Sequence, residues 1–109
     1  MIHLTSNSTI LIAIQPADFR QGIDGLAALC KQRLNCEPRS GTLFVFINRN
    51  KTMVRALVYE NNGFWLMTKR LSRGKFSGWP TINSPITAMD AKHLRALLSG
   101  NYAPVTMNT

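Results

Sequence analysis

Three apolar stretches in the middle of the chain, Leu43 to Ile47, Met53 to Tyr59 and Phe64 to Leu71, are rich in β-branched and aromatic residues and separated by short polar links. Runs of that length, bounded by turn-forming residues, predict three strands joined as an antiparallel meander. The first link, Asn48 to Thr52, carries Arg49 and Lys51; the second, Asn61-Asn62-Gly63, contains the Asn-Gly pair favoured at a tight hairpin tip. With Asn62-Gly63 as the loop, Asn61 falls opposite Phe64, Tyr59 opposite Leu66, Leu57 opposite Thr68 and Arg55 opposite Arg70. Two arginines directly opposed in a sheet repel, so this register calls for solvent, a nearby acid or a bound phosphate between them. The other hairpin face carries Val58, Met67 and Trp65 with Ala56, Lys69 and Glu60, and is expected to pack on the helix that precedes the meander. A one-residue slip would exchange the two faces.

Upstream, Ile10 to Ile14 is a short continuous apolar run that fits a buried strand, ended by Gln15-Pro16. A helix near residues 18 to 35 is predicted next, with Asp18 as cap, Gln21 completing a capping box, and Ile23, Leu26, Cys30 and Leu34 on one face. Gly22 and Gly25 each weaken such a helix by about 1 kcal/mol relative to Ala, so they ask for a reason. Close packing of the first turns on the sheet is one; another is that Asp18 to Gly22 is a separate turn and Asp24 caps the helix. Downstream of the meander, Ser72 to Pro80 is a basic, glycine-containing segment with two aromatics, Phe76 and Trp79. Residues 81 to 86 are mixed and suit a short edge strand. Thr87 is the expected cap of a last helix whose stripe is Ala91, Leu94, Leu97 and Leu98, stopping at Gly100.

At 109 residues and 45% apolar content, the chain suits one domain over residues 1–109, with 1–8 and 101–109 expected to be loose tails. Charge changes the picture. Thirteen Lys and Arg against five Asp and Glu give a net charge of +8 and a pI near 10.4, so the surface field attracts polyanions, nucleic acid foremost. The charge is also uneven: Arg39, Arg49, Lys51, Arg55, Lys69, Arg70, Arg73 and Lys75 lie in or beside the meander against Glu60 alone. Cys30 and Cys36 make neither a disulfide framework nor, with His3 and His93, a zinc set; they read as buried free thiols. No run is long enough for a signal core or a membrane span, and a cytoplasmic protein is expected.

The acids Asp18, Asp24, Glu37, Glu60 and Asp90 show no cluster of the kind metal-dependent strand cleavage requires. Neither histidine lies beside an evident nucleophile, and phosphate-loop and dinucleotide glycine patterns are missing. The expectation is a protein that is not an enzyme and carries no metal or other cofactor. The informative stretch is Lys69 to Trp79. Its cations can neutralise phosphates, its glycines admit a close backbone approach, and Phe76 or Trp79 can stack on an unpaired base; burial of both aromatics in the core is the competing reading, favoured for Trp79.

Several blocks in order resemble a known family, the small accessory protein often called TnpB, encoded by the second reading frame of bacterial insertion sequences of family sixty-six. They are Asp18 to Leu26, Ser40 to Phe46 with Asn48-Arg49, Asn62-Gly-Phe-Trp65, Lys69 to Phe76 with Trp79-Pro80, and Leu94 to Gly100. The chain departs from that pattern at Ser77-Gly78, which lengthens the gap before Trp79, and at Ser72, where a charged residue is common. The resemblance implies a role in moving a mobile element beside a separate transposase that supplies the chemistry.

The expected fold is α+β: an antiparallel sheet of about four to five strands around the central meander, one helix on a face and a short C-terminal helix at an edge. The expected function is binding of DNA at the element ends, assisting the transposase there. Lys69, Arg70, Arg73 and Lys75 would contact phosphates, extended by Arg49, Lys51 and Arg55. The alternatives are an adaptor that recruits the transposase through an apolar patch without touching DNA, and RNA binding on an open sheet face with Trp65 or Tyr59 stacking. A long free edge strand would allow a homodimer.

Overall fold

Every residue of Leu43–Ile47 is buried, which an alternating strand achieves when both faces of its sheet are covered. Leu43, Val45 and Ile47 enter one apolar cluster and Phe44 and Phe46 the other. The computed structural model describes residues 8–100, so the expected tails lie outside the described residues apart from Ser8. Along the chain come β1 (Ile10–Ala13), α1 (Ile23–Gln32), β2 (Leu43–Ile47), β3 (Met53–Glu60), β4 (Gly63–Arg70), β5 (Ile86–Ala88) and α2 (Ala91–Leu98). They form the expected α+β fold, with one sheet ordered β4-β3-β2-β1-β5.

The meander is present as β2, β3 and β4. The sheet is mixed rather than wholly antiparallel, because β1 runs parallel to β2, Ile10 opposite Leu43. A parallel neighbour needs a long crossover, and α1 supplies it. Leu26, Cys30 and Leu34 of that connection pack on Phe44, Phe46 and Leu57. β5 closes the other edge against β1, its three residues pairing Ile86 with Ala13.

α1 begins at Ile23, not near Asp18, and its N-cap is Gly22 with no side-chain cap. Asp18 to Gln21 is a separate turn closed by the Gln21 N–H on the Asp18 carbonyl at 3.1 Å. Asp24 sits inside the first turn of the helix instead of capping it. Gly25 answers to its neighbour rather than to the sheet: a Cβ there would stand 2.7 Å from the Gln21 Cβ.

The hairpin closes one position earlier than the Asn-Gly pair predicts. Glu60 pairs with Gly63, so Asn61-Asn62 is the loop and Asn61 takes a φ of 59°, a left-handed conformation that asparagine tolerates. Arg55 therefore lies opposite Thr68, and Arg70 opposite Met53, which removes the arginine pair the other register forced. Face membership survives, because the pairing moves by two and the side-chain period is also two.

The helix assignments of the faces are reversed. α1 covers the face of Leu57, Phe64 and Leu66. The Val58 face lies under α2, whose Leu94 and Leu97 are buried with Val45, Val54 and Val58; α2 thus covers a face rather than an edge. Its cap is Asp90, whose side chain accepts from the His93 N–H, and Thr87 belongs to β5. Gly100 follows the helix with a φ of 80°, the conformation expected of a helix-stopping glycine.

Candidate nucleic-acid interface

The turn between β2 and β3 is built by Asn48. Its Oδ1 accepts the backbone N–H groups of Thr52 at 2.9 Å and Met53 at 3.1 Å, and its amide donates to the Thr52 hydroxyl. With those groups satisfied, the exposed Arg49, Asn50 and Lys51 project from the tip. Lys51 holds a φ of 62°, which turns its carbonyl toward the segment after β4. There it accepts the Phe76 N–H at 2.8 Å, and the Thr52 carbonyl accepts the Leu71 N–H at 3.0 Å.

Two loops far apart in sequence are thereby laced side by side at one end of the sheet. Arg49 and Lys51 stand on one, Arg73 and Lys75 on the other, and Arg70 ends β4 between them. All five are exposed. Phe76 and Trp79 anchor the second loop from below: both are buried, and the Trp79 indole N–H donates to the Ala13 carbonyl at 3.0 Å. Neither ring is available to stack on a base, which corrects the expectation for Phe76.

A third segment joins the same end. The Ala17 N–H donates to the Ile47 carbonyl at 2.9 Å, placing the Asp18–Gln21 turn beside Arg49. Asp18, Phe19 and Arg20 border a recess of about 450 Å³ whose far wall is Asn48, Arg49 and Asn50. Arg20 is engaged with Asp18 at 2.7 Å, and its hydrogen bonds hold the Asp18 carboxyl down at about 2. The acid nearest the basic end is thus already neutralised by its own arginine. A neighbouring recess of about 460 Å³ brings Arg33, at the end of α1, into line with Arg49. Arg20 and Arg33 were missed at the sequence level, since nothing in their spacing links them to the meander.

Two of the seven expected contact residues have their cationic groups engaged by the framework, although Arg55 also borders the recess that Arg49 lines. Arg55 is half-buried and tied to its neighbours: its Nη1 donates to the carbonyls of Phe19 at 2.8 Å and Gln21 at 2.9 Å, and its Nε to the Thr68 hydroxyl at 3.2 Å. Lys69 reaches over the opposite face, where its Nζ donates to the Leu98 carbonyl at 2.7 Å, a cation at the negative end of α2.

The remaining acids have local partners or places. Asp90 caps α2, Glu37 accepts the Arg39 N–H, Glu60 accepts the Trp65 indole N–H, and Asp24 lies in the first turn of α1. Among the described residues no group of three or more His, Cys, Asp or Glu is arranged to hold a metal ion, and no helix is long and apolar enough to cross a membrane. Both sheet faces are covered, and Tyr59 and Trp65 lie on opposite ones. The two rings therefore do not share one stacking platform. Cys30 is buried and free, and Cys36 is free and partly buried.

Residues 8–105 match the model of the IS66 Orf2-like proteins, TnpB of IS66. The chain belongs to this family. The IS66 Orf2-like chain is similar to two uncharacterized proteins of Sinorhizobium fredii (strain NBRC 101917 / NGR234), y4jC and y4hO. It is 33% identical to the first over 100 residues, covering 92% of this chain and 85% of the relative. For the second the identity is 34% over 100 residues, 92% of this chain and 86% of the relative. No solved structure matches it. Membership is consistent with the insertion-sequence accessory role that the resemblance implies.

Proposed function

We propose that this protein binds DNA at the ends of its insertion sequence through the basic end of the sheet, and there assists the transposase. The observation that carries this reading is the lacing of two cationic loops into one exposed patch, Arg49, Lys51, Arg70, Arg73 and Lys75, beside an Asp18 held by Arg20. Such a patch neutralises phosphates and releases counterions without reading bases, so the affinity it gives is sequence-tolerant and salt-dependent. Site selection then falls to the transposase.

The test is a mobility-shift titration of element-end duplex DNA at two salt concentrations, with and without transposase. Binding should weaken steeply with salt, the log-log slope being about −0.9 per phosphate contact. Replacing Arg49, Lys51, Arg73 and Lys75 together by Ala should abolish retention of DNA while leaving the melting temperature near that of the parent. A flat salt response overturns the reading. Retained transposase capture by a chain that never binds DNA favours the adaptor alternative.

A further inference from the structure

The outer edge of β4, unpaired among the described residues, is as specific a feature as the basic end of the sheet. β4 is an end strand whose neighbour in the sheet is β3, and the ladder shows which of its backbone groups face away. The Asn48 N–H donates to the Met53 carbonyl and the Leu71 N–H to the Thr52 carbonyl. Odd-numbered residues of β3 thus bond toward β2 and even-numbered ones toward β4. On β4, Trp65, Met67 and Lys69 lie opposite Val58, Ala56 and Val54 and take those bonds. Phe64, Leu66, Thr68 and Arg70 then turn their N–H and C=O groups outward, since successive residues of an antiparallel strand bond to opposite sides. Beside this edge, on the α2 side, Trp65 is 50% exposed and Met67 40% exposed. Met67 also borders an apolar recess of about 200 Å³ with Val54, Ala56, Leu94 and Leu98.

We propose that the occupant of this edge is a second copy of the same chain, paired antiparallel across a two-fold axis at Met67. The edge reads Phe64-Trp65-Leu66-Met67-Thr68-Lys69-Arg70, with two aromatics at one end and two cations at the other. An antiparallel copy in this register sets Phe64 opposite the second copy's Arg70, Trp65 opposite its Lys69, Leu66 opposite its Thr68, and Met67 opposite itself. Arg70 meets the ring of Phe64 rather than another cation, and Lys69, its ammonium held on the Leu98 carbonyl, lays its methylene stem beside Trp65. All four outward-facing residues find hydrogen-bonding partners, and the exposed Trp65 and Met67 of both copies form one apolar strip on a common face. A closed two-fold contact also uses up the edge, so no further strand can add. This self-complementarity lies within the seven residues themselves and asks nothing of another protein.

The arrangement also manages the charge. Each copy carries +8, and antiparallel pairing points the basic ends in opposite directions. Added salt should screen their residual repulsion and strengthen the dimer, the reverse of its effect on DNA binding. The two Arg70 positions are six residues apart along the paired strands, ~20 Å at the usual rise. With the loop cations further out, the basic ends approach the ~34 Å of one duplex turn. That spacing rests on the DNA reading above; the pairing itself does not.

Sedimentation equilibrium of the full chain without DNA tests it, the expected mass being twice the 12.2 kDa of one chain. Met67→Lys should return the monomer by setting like charges across the axis. In a Cys36→Ser background, Met67→Cys should cross-link on oxidation, because a non-hydrogen-bonded antiparallel pair has its Cα atoms ~4.5 Å apart, within disulfide reach. Thr81→Cys, outside β4, should not. A monomer at every concentration and salt overturns the proposal, as does a dimer that survives Met67→Lys and fails to cross-link through Met67→Cys. A monomer that instead captures one transposase chain through this edge also overturns it. Loss of salt-dependent DNA binding with the dimer intact sinks the DNA reading alone.

Discussion

The guanidinium of Arg55 lies over the ring of Phe19, 4.8 Å from its centroid, while its Nη1 donates to the carbonyl of that same residue at 2.8 Å. A side chain on β3 thus fixes the turn that leads into α1. The grip depends on the planar fork: one nitrogen serves the Phe19 and Gln21 carbonyls, another the Thr68 hydroxyl, and the plane rests on the ring.

Arg55→Lys keeps the charge and loses the fork. Hydrogen bonds to charged groups are each worth about 1.5–3 kcal/mol, so the variant should unfold at lower urea with a loss of about 2 kcal/mol or more. Its affinity for DNA should stay close to that of the parent. Unchanged urea stability would remove Arg55 from the framework and return it to the binding surface.

This pair also shows where reading the chain stops. Local alternation is legible: the buried run of β1, the five buried residues of β2 and the two faces of the β3–β4 hairpin follow from the order of apolar residues. The hairpin register is less so, because Asn61-Asn62 and Asn62-Gly63 are both acceptable loops and the choice between them is made by the sheet. The carbonyls that Arg55 holds lie 34 and 36 residues away, and no periodicity connects them to it. Arg55 therefore looks like any other cation of the meander. The basic end was half legible for the same reason. The charges of Lys69 to Lys75 are plain in the chain, whereas their meeting with Arg49 and Lys51 depends on the Phe76–Lys51 backbone bond, and Lys69 leaves the group because α2 folds within its reach.

The two thiols should differ in reactivity. Burial pushes the Cys30 thiol up to about 12, and a thiol that stays protonated is a poor nucleophile. At mildly alkaline pH, iodoacetamide should label Cys36 on the folded protein and reach Cys30 on unfolding. Mass spectrometry of the labelled peptides checks this; rapid double labelling without denaturant would contradict the packing of Cys30 under β2.

Asp18 gives a pH prediction with a definite sign. Hydrogen bonds from Arg20 lower its carboxyl from 3.8 to about 2. A group whose folded value is depressed stabilises the fold above its unfolded value, and that contribution disappears as pH falls from near 4 toward 2. Asp18 is solvent-exposed, so the effect on overall stability is small and a site-specific titration is the right measurement. The carboxyl resonance should titrate near 2 in the parent and move up toward 3.8 in Arg20→Gln. A midpoint that ignores Arg20→Gln would show that the ion pair does not persist in solution.

The sharpest contrast is between Lys69 and its neighbours. Lys69, Arg73 and Lys75 carry the same charge within seven residues of chain, so a smooth basic surface would make them equivalent. The fold makes them different: Lys69 donates to the last turn of α2 on one face, while Arg73 and Lys75 stand at the end of the sheet beside Lys51. Lys69→Ala should therefore lower stability by about 0.3–1 kcal/mol, the usual value of a cation at a helix C-terminus, and leave the salt dependence of DNA binding nearly as it was. Arg73→Ala and Lys75→Ala should each take about 0.9 from the log-log salt slope and leave unfolding unchanged. Thermal melts and salt-dependent titrations of the three variants decide between the two pictures. Equal slopes for all three would mean that DNA meets the charge of the whole surface rather than this end of it.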